Sequence, residues 1–313
     1  MRGLRTIVWT VFLAVLIGPT ATADEKKAPH QFPEELVKFK AYANNPVFRA
    51  AGVGHWDERI HSRAWIVRDP DNRYYMWYTG FKKTGPMKLG YATSFDGLKW
   101  RRHRANPVHR MHDVKNMTVL ERYGVFYMFA SGKNEQAQLL TSPDRVHWTR
   151  RGGIKVKPPT GGPTPALSIN SPSAWYGKGK WHLLFSNKKS DAVYLTTSKR
   201  LRTWSTASAK PVLSSGPGAY DKKKISVHQL FRYRGKFYVY YHGMNDAGAW
   251  STNIAASDDL IKWEKYAKNP INKGSKSAGM VVYDGNRFRL YTINNEINVH
   301  FSKRVRAEDL TTN

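Results

Sequence analysis

Apolar and polar residues alternate along this chain in short runs, and each run stops at Gly, Pro, Asn or Asp. The first group reads RAWIVR (Arg63 to Arg68), a turn at Asp69-Pro70-Asp71-Asn72, YYMWYTG (Tyr74 to Gly80), LGYATS (Leu89 to Ser94) and a last piece from Leu98 to Arg102. Aromatic and β-branched residues at period two between turn formers predict short antiparallel strands with tight connections. The same order returns as MTVLERYGVFYMFAS, QLLTS, VHWTR, then SAWYGKGKWHLLFS, AVYLTTS, RTWS, then VHQLFRYRGKFYVYYHG, TNIAAS, IKWEKY. A fifth group, GMVVYDGNRFRLYTI with INVHFSK, keeps the paired strands.

Four of these groups carry a serine followed six residues later by a tryptophan: Ser94/Trp100, Ser142/Trp148, Ser198/Trp204 and Ser257/Trp263. An internal repeat at this period sets the architecture before any local motif does. Four-stranded sheets repeated around an axis, each covering its neighbour's apolar face, make a β-propeller. The expected fold is therefore all-β: one domain, a five-bladed β-propeller of four-stranded antiparallel blades. Residues 51–313 hold the blades, at about 60–104, 113–152, 170–206, 224–267 and 277–304. The atypical last unit suits the end of a repeat array. Residues 24–50 are expected as an N-terminal arm, with Glu34 to Tyr42 a short helix or a packing segment. Asn45-Pro46-Val47, Asn106-Pro107-Val108, Lys210-Pro211-Val212 and Asn269-Pro270-Ile271 mark crossings between blades. The link from Lys155 to Ser168, rich in Pro, Gly and Thr, is expected as a rim loop.

Residues 1–23 have a basic start at Arg2 and Arg5, an apolar stretch from Ile7 to Ile17 and a small-residue ending at Ala21-Thr22-Ala23. That layout is expected to be a cleaved secretory signal, with an uncleaved membrane anchor as the alternative, and it predicts a secreted or periplasmic protein. The chain has no cysteine, so its stability rests on a buried core, and 13% aromatic residues supply one. Its formal net charge is +28, or +26 without the signal. A cationic exported protein favours polyanions: sulfated or uronic polysaccharide, an anionic envelope, or nucleic acid. Nucleic acid rests on charge alone, because the aromatics fall at strand-core period.

LGYATSFDGLKW after YYMWYTG, SPSAWYGKGKWHLLFS, and KFYVYYHG leading to AASDDLIKWEKYAKNPI resemble the five-bladed propeller glycoside hydrolases, the clan that includes families 43, 32, 62, 68, 117 and 130. A sialidase box is a weaker match, since these spacings are one residue shorter and three of them lack its glycine. The resemblance implies three carboxylates around the pore, where the innermost strands of the first three blades begin. Hydrolysis needs a carboxylate on one face of the sugar and a proton donor at the leaving oxygen. Here those places read Ser62-Arg63, Lys115-Asn116 and Asn170-Ser171, without a carboxylate.

Acids lie close upstream: Asp57 and Glu58 in GHWDERIHS, Asp113 in HDVKN and Asp221 in AYDKKKISVHQ. Asp57 is the leading candidate for base or nucleophile, with Asp221 or Glu58 as second carboxylate. Trp56 offers a sugar-stacking plane. His228, at the expected start of the fourth inner strand, is a candidate acid because imidazole titrates near neutrality. Arg63 and Lys115 would hold carboxylate or sulfate groups of the substrate. Asn116, His112 and Trp175 complete the expected substrate-binding set. No cofactor is required and no protein metal ligands are assigned; the resemblance admits a structural calcium in the central pore. The expected function is cleavage of a glycosidic bond in an anionic or sulfated polysaccharide by a monomeric enzyme. The alternatives are a propeller that binds anionic polysaccharide without catalysis, and a cell-envelope scaffold.

Overall fold

A computed structural model describes residues 32–109, 113–157, 169–272 and 278–305. The signal expected at 1–23, His112 and most of the expected rim loop, 158–168, lie outside the described residues. Five sheets are each built on consecutive antiparallel hairpins. Blade 1 comprises Arg59–Arg68, Tyr74–Phe81, Lys88–Ser94 and Arg101–Arg102; blade 2, Lys115–Arg122, Val125–Ser131, Ala137–Ser142 and Thr149–Gly153. Blade 3 comprises Asn170–Gly177, Lys180–Ser186, Ala192–Ser198 and Trp204–Thr206, with Val156–Lys157 and Leu213–Ser214 added at its periphery. Blade 4 comprises Lys224–Tyr233, Lys236–Met244, Trp250–Ser257 and Glu264–Lys265; blade 5, Ala278–Tyr283, Arg287–Ile293 and Glu296–Arg304. The first strands touch in cyclic order and the fifth meets the first, so the ring is closed. This is the five-bladed propeller that the repeat predicts.

The ring closes through a segment expected to be an arm. The third strand of blade 5 has no later described strand to cover its edge, and the start of the chain covers it. Lys40 and Ala41 pair with Phe301 and His300, and Phe48 and Arg49 with Ile297 and Glu296. Residues 40–49 thus belong to the propeller. The helix Glu34–Val37 precedes them, with Leu36 fully buried and its carbonyl accepting a hydrogen bond from the Tyr240 hydroxyl.

Each blade boundary carries an aromatic pair. Trp77 meets Trp148 at 6.0 Å between centroids, Phe129 meets Trp181 at 5.4 Å, Trp175 meets Phe237 at 4.9 Å, Tyr233 meets Phe288 at 5.2 Å, and Tyr291 meets Trp100 at 6.5 Å. Such pairs add about 0.5–1.5 kcal/mol each beyond area burial, which suits a fold whose units are held only by their neighbours.

The serine of each Ser/Trp repeat shapes the turn from third to fourth strand. Ser94, Ser142 and Ser257 donate to Asp96, Asp144 and Asp259, and each aspartate accepts two backbone N–H groups further on. The residue three after each serine is left-handed: Gly97, Arg145, Leu201 and Leu260, with φ of 69°, 74°, 63° and 68°. The crossing asparagines have an equally defined task. Asn45, Asn106 and Asn269 each pair through the side-chain amide with both backbone groups of one third-strand residue, Val299, Tyr91 and Ile254.

Candidate functional site

Four of the five inner strands are bulged near the end where they begin. Register slips between Ile60 and Ala64, Lys115 and Thr118, Asn170 and Ser173, and Val227 and Gln229. Bulges re-aim side chains, and here they bring Arg63, Asn116, Ser171 and His228 out of the regular pleat. Asn116 and Ser171 are left-handed, with φ of 51° and 53°; such backbone is costly for residues other than glycine and gathers at functional sites.

The resulting cluster links four blades by one directed chain of hydrogen bonds. The Arg63 guanidinium, 4% exposed, donates to the Val227 carbonyl at 2.5 Å and to Ser226 Oγ at 2.7 Å. Ser226 donates to Ser171 Oγ at 3.0 Å, and Ser171 to Asn170 Oδ1 at 3.1 Å; Asn116 reaches the same oxygen at 3.3 Å. Arg63 has no carboxylate partner among the described residues. Lys115 pairs with Glu135, on the connection between second and third strands of blade 2. Glu135 Oε2 is buried without a partner among the described residues, although it attracts the Arg63 charge electrostatically. Glu135 and Asn134 are consecutive left-handed residues, φ 60° and 56°.

The histidines respond to this charge. Burial first, then Arg63 and Lys115, push His61 down to about 3. Burial and then Arg63 take His228 to about 3 and His242 well below the usual range. His228 Nδ1 lies 3.1 Å from the Gly279 carbonyl and Nε2 3.2 Å from that of Ala64. A neutral imidazole donates to only one of them, and neither nitrogen is free for a substrate. His228 therefore ties blades 1, 4 and 5 together, where the sequence suggested a proton donor.

The two leading acids are enclosed elsewhere. Asp57 Oδ2, in a side chain 1% exposed, accepts from Arg102 Nε at 2.8 Å and Tyr78 Oη at 3.0 Å. Asp221, fully buried, accepts through Oδ2 from Lys265 Nζ at 2.5 Å and Tyr241 Oη at 3.2 Å, while Oδ1 is buried without a partner among the described residues. Burial lifts the Asp221 carboxyl above its ordinary range against the pull of Lys265 and Tyr241. Asn106 and Asn269 approach the respective tyrosine hydroxyls at 3.4 and 3.5 Å, so blades 1 and 4 contain the same four-residue assembly. Neither carboxylate joins the Arg63 cluster. Glu58 is half-buried and makes no hydrogen bond or ion pair among the described residues. Trp56 tilts against Tyr78 and packs under Gly80 and Gly90, where an added Cβ would come within 2.6 and 2.8 Å of its ring. Trp175 lies toward the far end of its strand, against His182 and Phe237, about 17 Å from the mouth at 3.3 Å per residue. That places it in the packing between blades 3 and 4.

Comparison with solved structures decides the fold. A glycosyl hydrolase from Bacteroides ovatus superposes with a TM-score of 0.72 at 17% identity, covering 90% of this chain and 98% of that one. A protein from the family 130 mannoside phosphorylases, described together with glycoside hydrolases that target β-1,2 mannosidic linkages in Candida mannan, matches with a TM-score of 0.70 at 16% identity over 85% and 94%. A family 117 glycoside hydrolase from Zobellia galactanivorans matches at 0.60 and 16% over 90% and 93%. The chain has the fold of the five-bladed propeller glycoside hydrolases. No protein-family model and no curated protein matches the sequence.

Within the propeller hydrolase fold, the positions where the resemblance implies carboxylates are basic or neutral here. Glu135 is the one described carboxylate with a recorded tie to both Lys115 and Arg63. Glu135 lies on a connection rather than at a strand start, and the polar run Lys133-Asn134-Glu135-Gln136 between two apolar strands is its signal in the sequence. An axial calcium does not fit this donor set. Calcium takes six to eight oxygens, several of them carboxylate, whereas the described residues gather no metal-holding group and place a guanidinium at the axis.

Proposed function

We propose that the protein cleaves a glycosidic bond in an anionic oligo- or polysaccharide at the mouth of the propeller, after export from the cytoplasm. The observation that carries this reading is Arg63, a buried guanidinium without a carboxylate partner among the described residues. A buried charge is stable only when paired and hydrogen-bonded, and two hydrogen bonds leave three of its five N–H donors without a partner among the described residues. A sulfate or carboxylate of a sugar would complete it, with Lys115 as a second contact. Glu135 would then exchange Lys115 for the substrate and serve as the proton-transferring carboxylate.

A second reading, a propeller that binds anionic glycan without turnover, is favoured by the enclosure of Asp57 and Asp221. Reducing-end release from neutral, uronic and sulfated polysaccharides, with and without inorganic phosphate, separates the two. Turnover restricted to anionic substrates, and lowered at least about 100-fold in Glu135→Gln with its melting temperature retained, supports cleavage by this centre. Binding without turnover supports the second reading. Turnover of neutral glycans alone overturns the anionic assignment.

A further inference from the structure

We infer that the outer edge of blade 1 holds a second anion site, apart from the mouth, that takes sulfate or carboxylate groups of a polyanionic glycan. Arg101–Arg102 is the outermost strand there and pairs inward with Ala92 and Thr93. Three strand spacings separate it from the inner strand, about 14 Å. A cleft of about 390 Å³ opens at this edge, lined by Thr93, Arg101, Arg102, His103 and Arg104. Its lining has four basic or imidazole side chains and no acid, and its volume falls in the range of about 300–1,000 Å³ typical of ligand sites.

Part of the cleft is rigid. Arg102 is fixed by Asp57 at 2.8 Å, by the Arg49 carbonyl at 2.5 Å and by the Phe48 ring, 4.2 Å from its guanidinium carbon. The His103 ring accepts from the Ala105 N–H at 3.2 Å and lies 5.9 Å from Tyr91. Arg101 and Arg104, by contrast, are exposed and form no ion pair among the described residues. Two exposed guanidiniums without an ion-pair partner among the described residues line the cleft beside a third that is held in place, and their planar forks match sulfate and carboxylate. Single-stranded nucleic acid is disfavoured because such sites supply aromatic stacking platforms, and His103 is the only ring in the lining. A polymer held at this edge while another segment occupies the mouth would gain affinity from both contacts.

The test is calorimetric binding of size-defined heparin and polygalacturonate fragments to the full chain. Arg101→Ser/Arg104→Ser is compared with Lys199→Ser/Arg202→Ser, which removes the same charge from the exposed turn of blade 3. A loss of tenfold or more in the first variant and under about threefold in the second supports the site. Equal losses, or no binding by wild type, overturn it, and so does single-stranded DNA that binds as tightly and responds to the same variant. The result does not depend on turnover: absence of cleavage at the mouth leaves the edge measurement readable, and loss of edge binding leaves cleavage of short substrates intact.

Discussion

At the scale of single residues, carboxylates that look alike in sequence have opposite situations. Asp57 and Asp221 are each held by a tyrosine and a cation through one oxygen, whereas Glu135 is held by one lysine and has no tyrosine beside it among the described residues. Asp57→Asn leaves the Arg102 guanidinium without its counter-charge in a largely buried setting. Breaking a buried pair costs about 3–5 kcal/mol, and Arg102, one-third exposed, recovers part of that in water, so a loss of about 2 kcal/mol is expected in urea unfolding. An unchanged midpoint together with abolished turnover would return Asp57 to the active centre. The sequence held a clue to this. Asp57 precedes Tyr78 by 21 residues and Arg102 by 45; Asp221 precedes Tyr241 by 20 and Lys265 by 44; each asparagine follows its tyrosine by 28. Acids that repeat with their partners at blade period belong to the blade, a pattern that separate inspection of each acid does not reveal.

Among elements, the Ser/Trp turns show why the fold was legible where the site was not. Serine, aspartate and a left-handed fourth position are local chemistry, written within a few residues and repeated, so four blades follow from them and the fifth from its paired strand runs. The mouth depends instead on bulges and on contacts between strands distant in sequence: Arg63 donates to residues 163 and 164 positions away. Periodicity cannot announce a bulge, and Asn116 and Ser171 are left-handed without a glycine to mark them. The turns themselves yield a measurable expectation. Burial raises the Asp96 and Asp259 carboxyls, but the N–H groups of residues 98, 99, 261 and 262 and the serine hydroxyls outweigh it, and both fall below their ordinary value. Asp259→Ala should lower stability by about 1–2 kcal/mol at neutral pH, in line with loss of a cap. Asp259→Asn should lose less, because its amide oxygen still accepts from Ile261 and Lys262. Equal stability of the alanine variant and wild type would show that the turn is held by Trp263 packing alone.

On the scale of the whole molecule, the axis determines how the propeller responds to acid. His228 and His242 are buried beside Arg63 and bind protons far less readily than in an unfolded chain, whose histidines titrate near 6.5. As pH falls below about 6.5 the unfolded state takes up these protons first, so the folded state loses stability progressively until its own value near 3 for His228. Each such histidine gives a slope of about 1.4 kcal/mol per pH unit across that window. The depressed turn aspartates act in the same direction only toward pH 4 and below, where the unfolded carboxylates take up protons before the folded ones, so the loss between pH 6.5 and 5 belongs to the histidines. Urea midpoints measured at pH 7.5, 6.0 and 5.0 should therefore fall steadily, and His242→Asn, which keeps a polar side chain but cannot titrate, should flatten the profile by close to one proton even if its midpoint at pH 7.5 is lower. Millimolar sulfate supplies a second arm. An anion seated on Arg63 weakens the repulsion that keeps the imidazoles neutral, so it should raise the midpoint more at pH 5.0 than at pH 7.5 in wild type and lose that excess in Arg63→Gln. Profiles that coincide for wild type and His242→Asn would place the acid response elsewhere, and a pH 5.0 excess of the sulfate effect that survives in Arg63→Gln would remove the axis from the account of anion binding.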